Sequence, residues 1–272
     1  MNPTERTLQV LEYLMAAGPG PVKQVDIARD CHLSPATLHR IIRSLSEWGY
    51  LFRTSEKYCV RNFRLDRNVP MSEPYLAELD RITHAITAQL GVSSEVVVAA
   101  GHELLWHSKT EHPDPSVVIR ANTGFRRSLY ELDAMARLYL SRVDPDELAA
   151  RFYTEGFYDT GYRSGRDITW LPEKAALERI AATSGVDFDY DFAGNHVGIR
   201  RFATVISDPD GGFLHLLSIA EPVRPVADEA AHVAAYEEAL RVARERLMAL
   251  VAAEQTARRR PPKFHAAPGR GG

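Results

Sequence analysis

The chain has 272 residues, 45% apolar and 25% charged, with a formal net charge of -3. That length and apolar content suffice for one small and one larger domain, each with its own core. No apolar run approaches the ~20 residues that cross a bilayer, and the two cysteines, Cys31 and Cys59, are too few for a disulfide framework and match no zinc spacing. A reduced, cytoplasmic protein with no leader peptide, no cofactor and no metal is expected.

The first helix is predicted over Thr4 to Ala17, ended by Gly18 and Pro19. Residues 24–48 then read as two short helices around a tight turn. The second has a clear start: Ser34 suits the N-cap and Pro35 the first helical position, where its missing N–H costs nothing. Leu38, Ile41, Ile42, Leu45 and Trp48 recur at spacings of three and four and are expected to form one buried stripe. Ala36, Thr37, His39, Arg40, Arg43 and Ser44 face away from it, short or cationic groups that suit base edges and phosphates in a major groove. Two β-prone runs, Tyr50 to Arg53 and Tyr58 to Arg61, follow and read as a hairpin. Together these elements make a winged helix-turn-helix, with Arg53, Lys57 and Arg61 on a wing able to follow the phosphate backbone.

Charge is distributed unevenly. Residues 1–68 carry ten basic and seven acidic side chains, and residues 254–272 carry five basic side chains against Glu254. The stretch between is therefore strongly acidic, a body that would turn its basic head toward a nucleic acid. The tail around Arg258, Arg259 and Arg260 ends in Pro, Gly and Ala and reads as disordered.

Asn68, Pro70, Ser72 and Pro74 break any helical pattern, which sets expected bounds of 1–66 for the head, 67–74 for a linker, 75–256 for the body and 257–272 for the tail. The body should open with a helix from Tyr75 to Leu90, then strands Ser94 to Ala100 and Leu104 to Ser108, with a third at Val117 to Arg120. Helices are predicted over Asp133 to Ser141, from Asp144 and Pro145, and over Pro172 to Thr183, with a loop from Tyr153 to Gly165. Strands at Phe188 to Phe192, Ile199 to Ser207 and Phe213 to Ala220 precede a long helix from Ala227 to Thr256. The turn Asp208-Pro209-Asp210-Gly211-Gly212 joins the last two strands. The class is α+β, with an antiparallel sheet in the larger domain.

Several of these segments resemble the IclR family of bacterial transcriptional regulators, over most of residues 4–224. LSPATLHRIIRSLSEWGYL is similar to the family's recognition helix, with Ala36, Thr37 and Arg40 in its recurring places. DAMARLYLS at 133–141 resembles the helix T-A-x-G-K-x-x-L-A, with Ala136 where a Gly is usual and Arg137 for Lys. HVGIRRFATVISDPDGG, followed by LLSIAEPVRP, resembles the segment holding the G-x-R-C-x-A-A-P-V and S-x-S-G-P strands. The resemblance implies a winged-helix head, a GAF-like effector domain, and dimers or dimers of dimers on double-stranded operator DNA. The family's connecting helix is reduced here to Phe63 to Glu73, broken by Pro70.

The resemblance further implies a small-molecule effector held by Ala134, Asp189, Asp191, Arg201 and Ser218, with Arg201 in place of the family's Cys and Ala220 in place of a second Ser. Arg201 directed into a pocket could pair with a carboxylate, so a carboxylate or aromatic metabolite is the expected effector. Arg201 on the solvent face, or neutralised by Asp191, is the alternative. Ala134, Leu138, Phe202 and Leu216 suit pocket lining or plain core.

Other functions are weaker. His102, His107 and His112, with Glu103 and Glu111, invite a metal reading, but five-residue steps share a face of neither helix nor strand, so exposed loop histidines are expected. There is no nucleophile elbow, phosphate-binding Gly loop or HExxH. A DNA-binding regulator rather than an enzyme is expected, with a winged helix used only for protein association, or an enzyme with a degenerate one, as alternatives.

Overall fold

The computed structural model describes residues 2–17, 20–54, 56–62, 69–161 and 168–259. It divides into two compact units, Met1–Arg67 and Asn68–Gly272.

The first unit opens with α1 (Pro3–Ala16), started by a capping box. Asn2 Oδ1 accepts from the Glu5 amide at 2.9 Å, and the Asn2 amide donates to Glu5 at 2.8 Å, so two orphan donors are satisfied reciprocally. Strand β1 (Val22–Lys23), α2 (Gln24–Asp30), α3 (Pro35–Glu47), β2 (Leu51–Arg53) and β3 (Tyr58–Arg61) follow. The strands form an antiparallel sheet in the order β1-β3-β2. The turn from α2 into α3 runs through His32 in the left-handed region, φ 52°. Leu38, Ile41, Ile42 and Leu45 of α3 are buried with Val10, Leu14, Ile27 and Leu51. Each such side chain contributes roughly 1.5–3 kcal/mol of transfer free energy.

Trp48 does not join that stripe. The helix ends at Glu47, Trp48 is its cap, and the indole is 81% exposed. Both cysteines lie in this core, and burial pushes the Cys31 thiol up to about 11 and raises that of Cys59. They are structural thiols with little thiolate to react. Gly18, Pro19 and the first part of the connecting segment, 63–68, lie outside the described residues.

In the second unit, α4 (Glu73–Leu90) starts on Ser72, whose Oγ accepts from the Tyr75 amide, and stops at Gly91 with φ 65°. Gly91 takes that left-handed conformation without the Cβ penalty. Then come β4 (Ser93–Ala100), β5 (Glu103–Thr110), β6 (Arg126–Ser128), α5 (Ala134–Leu140) and α6 (Pro145–Arg151). A 3-10 turn at Thr154–Gly156 leads into β7 (Tyr158–Asp159), β8 (Thr169–Trp170) and α7 (Glu173–Ala182). The chain continues through β9 (Phe188–Tyr190), β10 (Ile199–Ser207) and β11 (Phe213–Pro222) into α8 (Glu229–Arg259).

Six strands form one antiparallel sheet in the order β6-β5-β4-β11-β10-β9, and β7 pairs β8 separately. Alternation along the strands gives the sheet two apolar faces. Val96, Val98, Phe202 and Ile219 pack with Tyr75, Leu79 and Ile82 of α4 and Tyr236, Leu240 and Leu247 of α8. Val97, Ala203, Val205 and Leu216 pack on the other side with Met135 and Leu138 of α5, Leu148 of α6 and Ala176 and Ile180 of α7. No described helix is long and apolar enough to cross a membrane.

The third body strand is displaced from its predicted place. Residues 117–120 form no strand, and Arg126–Ser128 pairs with Glu103–Leu105 instead. Ile119 is nonetheless buried while Val118 is 74% exposed, so the β-branched run supplies an anchor rather than a ladder. The loop predicted from Tyr153 to Gly165 contains the 3-10 turn and β7, and its residues 162–165 lie outside the described residues. The tail from 260 onward does so too.

His215 on β11 is fully buried beneath α4. Its Nδ1 lies 3.2 Å from the Leu216 carbonyl, which can only accept, so Nδ1 carries the proton and Nε2 accepts from the Tyr75 hydroxyl at 2.6 Å. Burial lowers the pKa from the model-compound value of 6.5 to about 4. The unfolded chain therefore binds more protons than the folded one between these values, and stability present above pH 6.5 is lost as pH falls toward 4. The expected loss is about 3 kcal/mol. Asp191, raised to about 6, works in the opposite sense over part of this window. The contribution of His215 is isolated by comparing urea unfolding of the wild type with His215→Gln from pH 7 to 4: the variant should lack this component of the slope.

Candidate functional site

On the first unit, Ser34 Oγ accepts from the Thr37 amide at 3.2 Å and donates to Thr37 Oγ1 at 2.9 Å, so both predicted contact residues also fix the first turn of α3. Ala36, His39, Arg40, Arg43 and Ser44 are exposed, and Thr37 is half-buried. Arg43 reaches along the helix to Glu47 at 2.9 Å, an exposed pair that water screens. Arg53 is exposed at the end of β2, and Lys57 is exposed in the wing turn with φ 62°. Arg61 departs from expectation. It is half-buried, and its Nη1 lies 3.2 Å from Met15 Sδ, so this arginine leans back on α1 rather than extending the wing's basic edge.

Sequence reasoning missed Arg6. It lines a groove of about 260 Å³ together with Thr7, Thr37, Arg40 and Ser44, which places a second guanidinium beside the exposed face of α3. No periodicity in the sequence announces that adjacency, because it depends on how α1 crosses α3.

The second unit holds a cavity of about 290 Å³. Its walls come from the end of β9 (Tyr190), the turn after it (Asp191 to Asn195), the start of β10 (Ile199, Arg201), the segment entering α5 (Glu131 to Asp133), the end of β7 (Asp159) and the two residues beyond it (Thr160, Gly161). Of the five predicted effector residues, Asp191 and Arg201 line it, and Ala134, Asp189 and Ser218 do not. The Ala134 amide donates to Asp191 at 2.6 Å, and Asp189 accepts from Arg137 Nε at 2.8 Å. Ser218 is fully buried in register with Ala203 and Glu95. Ala134, Leu138, Phe202 and Leu216 are core.

Arg201 is held neither by solvent nor by Asp191. Glu95, on β4, receives both Nε at 2.9 Å and Nη2 at 3.2 Å, a bidentate pair in which the carboxylate is fully buried. The same guanidinium lies 5.4 Å from the ring centre of Trp106, and Arg127 lies 5.3 Å from it. Arg137 is also committed, to Asp189 and, through Nη2 at 2.9 Å, to Asp191. Burial opposes the charge on Arg137, but the two aspartates outweigh it and raise its pKa. Burial pushes the Asp191 carboxyl up to about 6, against the pull of Arg137. Arg127 pairs with Asp133, which also caps α5, and Arg179 pairs with Asp159 at 3.1 Å. Glu131, 8% exposed, accepts from the Thr160 hydroxyl at 2.8 Å.

The turn that closes the cavity needs glycine at 194. Its φ is 76°, and a Cβ there would strike Val223 Cγ2 and stand 3.1 Å from the Ile199 carbonyl. Gly194→Ala is expected to cost roughly 1–3 kcal/mol by strain and clash together, readable as a lower urea midpoint at unchanged slope.

His107 lies in β5 rather than in a loop, His102 is in the exposed turn before it, and His112 is half-buried beyond it. Among the described residues no group of three His, Cys, Asp or Glu is placed to hold a metal.

A helix-turn-helix with a wing makes the first part of the chain, and a larger sheet domain with a partly open cavity the second. Residues 3–55 match the IclR helix-turn-helix domain. Solved structures of similar fold include a transcriptional regulator of the IclR family from a Rhodococcus species, with TM-score 0.62 and 15% identity over 91% of this chain and 92% of that one. The Thermotoga maritima IclR gives 0.53 and 17% over 91% and 98%, and an IclR homologue from Microbacterium hydrocarbonoxydans complexed with 4-hydroxybenzoate gives 0.50 and 17% over 92% and 99%. No curated protein matches in sequence. The chain carries an IclR helix-turn-helix domain at its N-terminus and has an IclR-like fold over most of its length.

Proposed function

We propose that the protein is a DNA-binding transcriptional regulator whose residues 1–66 bind a near-palindromic operator as part of a homodimer, or a dimer of dimers, and whose residues 75–256 bind a small-molecule effector. The observation that carries this reading is α3, pinned at its start by Ser34 and Pro35 and presenting Ala36, His39, Arg40, Arg43 and Ser44 outward from a buried stripe. Two such helices in successive major grooves read base edges, while Arg53 and Lys57 position the wing on phosphate. Effector binding changes operator affinity by a coupling free energy of about 1–3 kcal/mol.

The cavity in the second unit is the proposed effector site, by analogy with the 4-hydroxybenzoate complex of the Microbacterium homologue. Tyr190 and Phe192 are among its lining residues, but both rings pack on Phe202, so an aromatic ligand is supported by the homologue alone. The carboxylate reading rested on Arg201, and that guanidinium is already paired with Glu95. Binding without turnover is expected.

The test is a mobility shift of the purified protein on the DNA upstream of its own coding sequence, across a salt series and against an unrelated duplex, followed by selection from genomic fragments. Specific retention that weakens steeply with salt supports a sequence reader. Failure to select any fragment overturns it.

A further inference from the structure

The outward residues of α3 fall into two rows. Thr37, Arg40 and Ser44, at spacings of three and four, line one groove with Pro3, Arg6 and Thr7 of α1. Ala36, His39 and Arg43, at the same spacings, are exposed and lie outside that groove. The start of α1 therefore flanks the recognition helix on one side only, and it carries Arg6 there.

The charges of this groove are unbalanced. No Asp or Glu lines it, and among the described residues neither Arg6 nor Arg40 is paired with a carboxylate. Elsewhere on α2 and α3 arginines are held by acids, Arg29 by Asp26 and Asp30, and Arg43 by Glu47. Glu5, next to Arg6 in the chain, is taken up by the cap of α1, accepting from the Asn2 amide at 2.8 Å and from its side chain at 2.9 Å. Two guanidiniums on one groove repel each other, and an anion beside them turns that repulsion into attraction. Thr37 and Ser44 add hydroxyls able to donate to it.

The widths of helix and groove decide which anion this is. An α-helix with its side chains is about 10–12 Å across and the major groove of B-DNA about 12 Å wide, so a recognition helix fills the groove. A second element beside that helix cannot reach base edges and meets the groove wall, which is sugar-phosphate backbone. Guanidinium planes match phosphate oxygens bidentately. Arg6 is half-buried in the free protein, so part of the entropy of ordering its long side chain is already lost before DNA arrives.

We infer that Arg6 binds a backbone phosphate at the edge of the major groove that α3 occupies, a contact that seats the helix without reading sequence. The inference rests on the reading of residues 1–66 as DNA-binding, and adds to it a residue from outside α2, α3 and the wing.

The test uses the full chain on an unrelated duplex and on a selected operator fragment, in mobility shifts from about 50 to 200 mM salt. The unrelated duplex reports phosphate contacts before any operator is known. Arg6→Ala is expected to bind both duplexes about fivefold or more weakly at the low-salt end, with the ratio between them unchanged. Its salt slope should fall by about one, so that the loss of affinity across the series shrinks roughly three- to fourfold. Arg6→Lys should keep the wild-type slope, because the slope counts charges. Alanine suits a helix, so the urea midpoint of Arg6→Ala should stay near that of the wild type. If Arg6→Ala does not fold, Arg6→Gln carries the same expectation. Unchanged affinity and slope overturn the inference, and so does a loss confined to the operator, which would place Arg6 behind the base-reading residues. A wild type that retains no duplex removes the DNA-binding reading and the inference with it. A wild type that binds no better than Arg6→Ala removes the inference alone.

Discussion

Glu95→Ala is expected to cost about 3–5 kcal/mol, the largest effect of any single substitution considered, because it strands the Arg201 guanidinium without its bidentate partner in a buried site. The converse change, Arg201→Met, should cost a similar amount by leaving Glu95 as an uncompensated buried charge. The informative experiment is the double variant Glu95→Leu with Arg201→Met. Two apolar side chains of similar reach need no desolvated ion pair, and replacements of this kind are often neutral or stabilising. Urea unfolding of the four proteins forms a double-mutant cycle. Severe destabilisation of both singles with recovery in the double is the expected pattern; a double variant as unstable as the sum of the singles would show that the pair's worth lies outside its charges. Recovery of the fold also permits a second reading: ligand binding by the double variant shows whether the pair serves the cavity or only holds β4 against β10 through the intervening β11.

Arg40→Ala is expected to lower specific operator affinity by about 5- to 150-fold, the ~1–3 kcal/mol of a base contact. Arg40 is exposed on α3 beside the groove lined by Arg6 and Thr37, and no carboxylate competes for it among the described residues. Arg43 starts from its pair with Glu47 and must give that up to reach DNA, so Arg43→Ala should cost less. Lys57→Ala should instead weaken specific and unrelated duplexes alike and reduce the salt slope by about one. Mobility shifts on both duplexes across the salt series separate these cases. Equal losses on both duplexes for Arg40→Ala would make it a phosphate contact. Lost oligomers with intact DNA binding would favour the association reading of the winged helix.

Local chemistry was legible in the sequence where it is written locally. Ser34 and Pro35 mark the start of α3, and its stripe from Leu38 to Leu45 is buried as the spacing requires. Trp48 failed because periodicity cannot see where hydrogen bonding stops, and the helix ends one residue earlier. Residues 117–120 failed because β-branched composition says that a side chain is buried, not that its backbone is paired. Strand β6 was invisible for the opposite reason: Arg126, Arg127 and Ser128 have no strand propensity and owe their conformation to pairing with β5. The cavity was only half legible. Resemblance pointed to Asp191 and Arg201, but Glu95 lies 106 residues from Arg201 and Asp189 lies 52 from Arg137. Such partners follow from strand order and register, which alternation alone does not specify.

Trp106, with the guanidiniums of Arg127 and Arg201 5.3 and 5.4 Å from its ring centre, gives the protein an optical gauge of its own interior. The chain's other indoles, Trp48 and Trp170, are 81% and 63% exposed, whereas Trp106 is fully buried beside Arg201, and Arg201 in turn lines the cavity. Iodide should therefore quench the first two and leave a blue-shifted remainder from Trp106. That remainder is the emission expected to change when a molecule enters beside Arg201, so occupancy can be followed by light without a label.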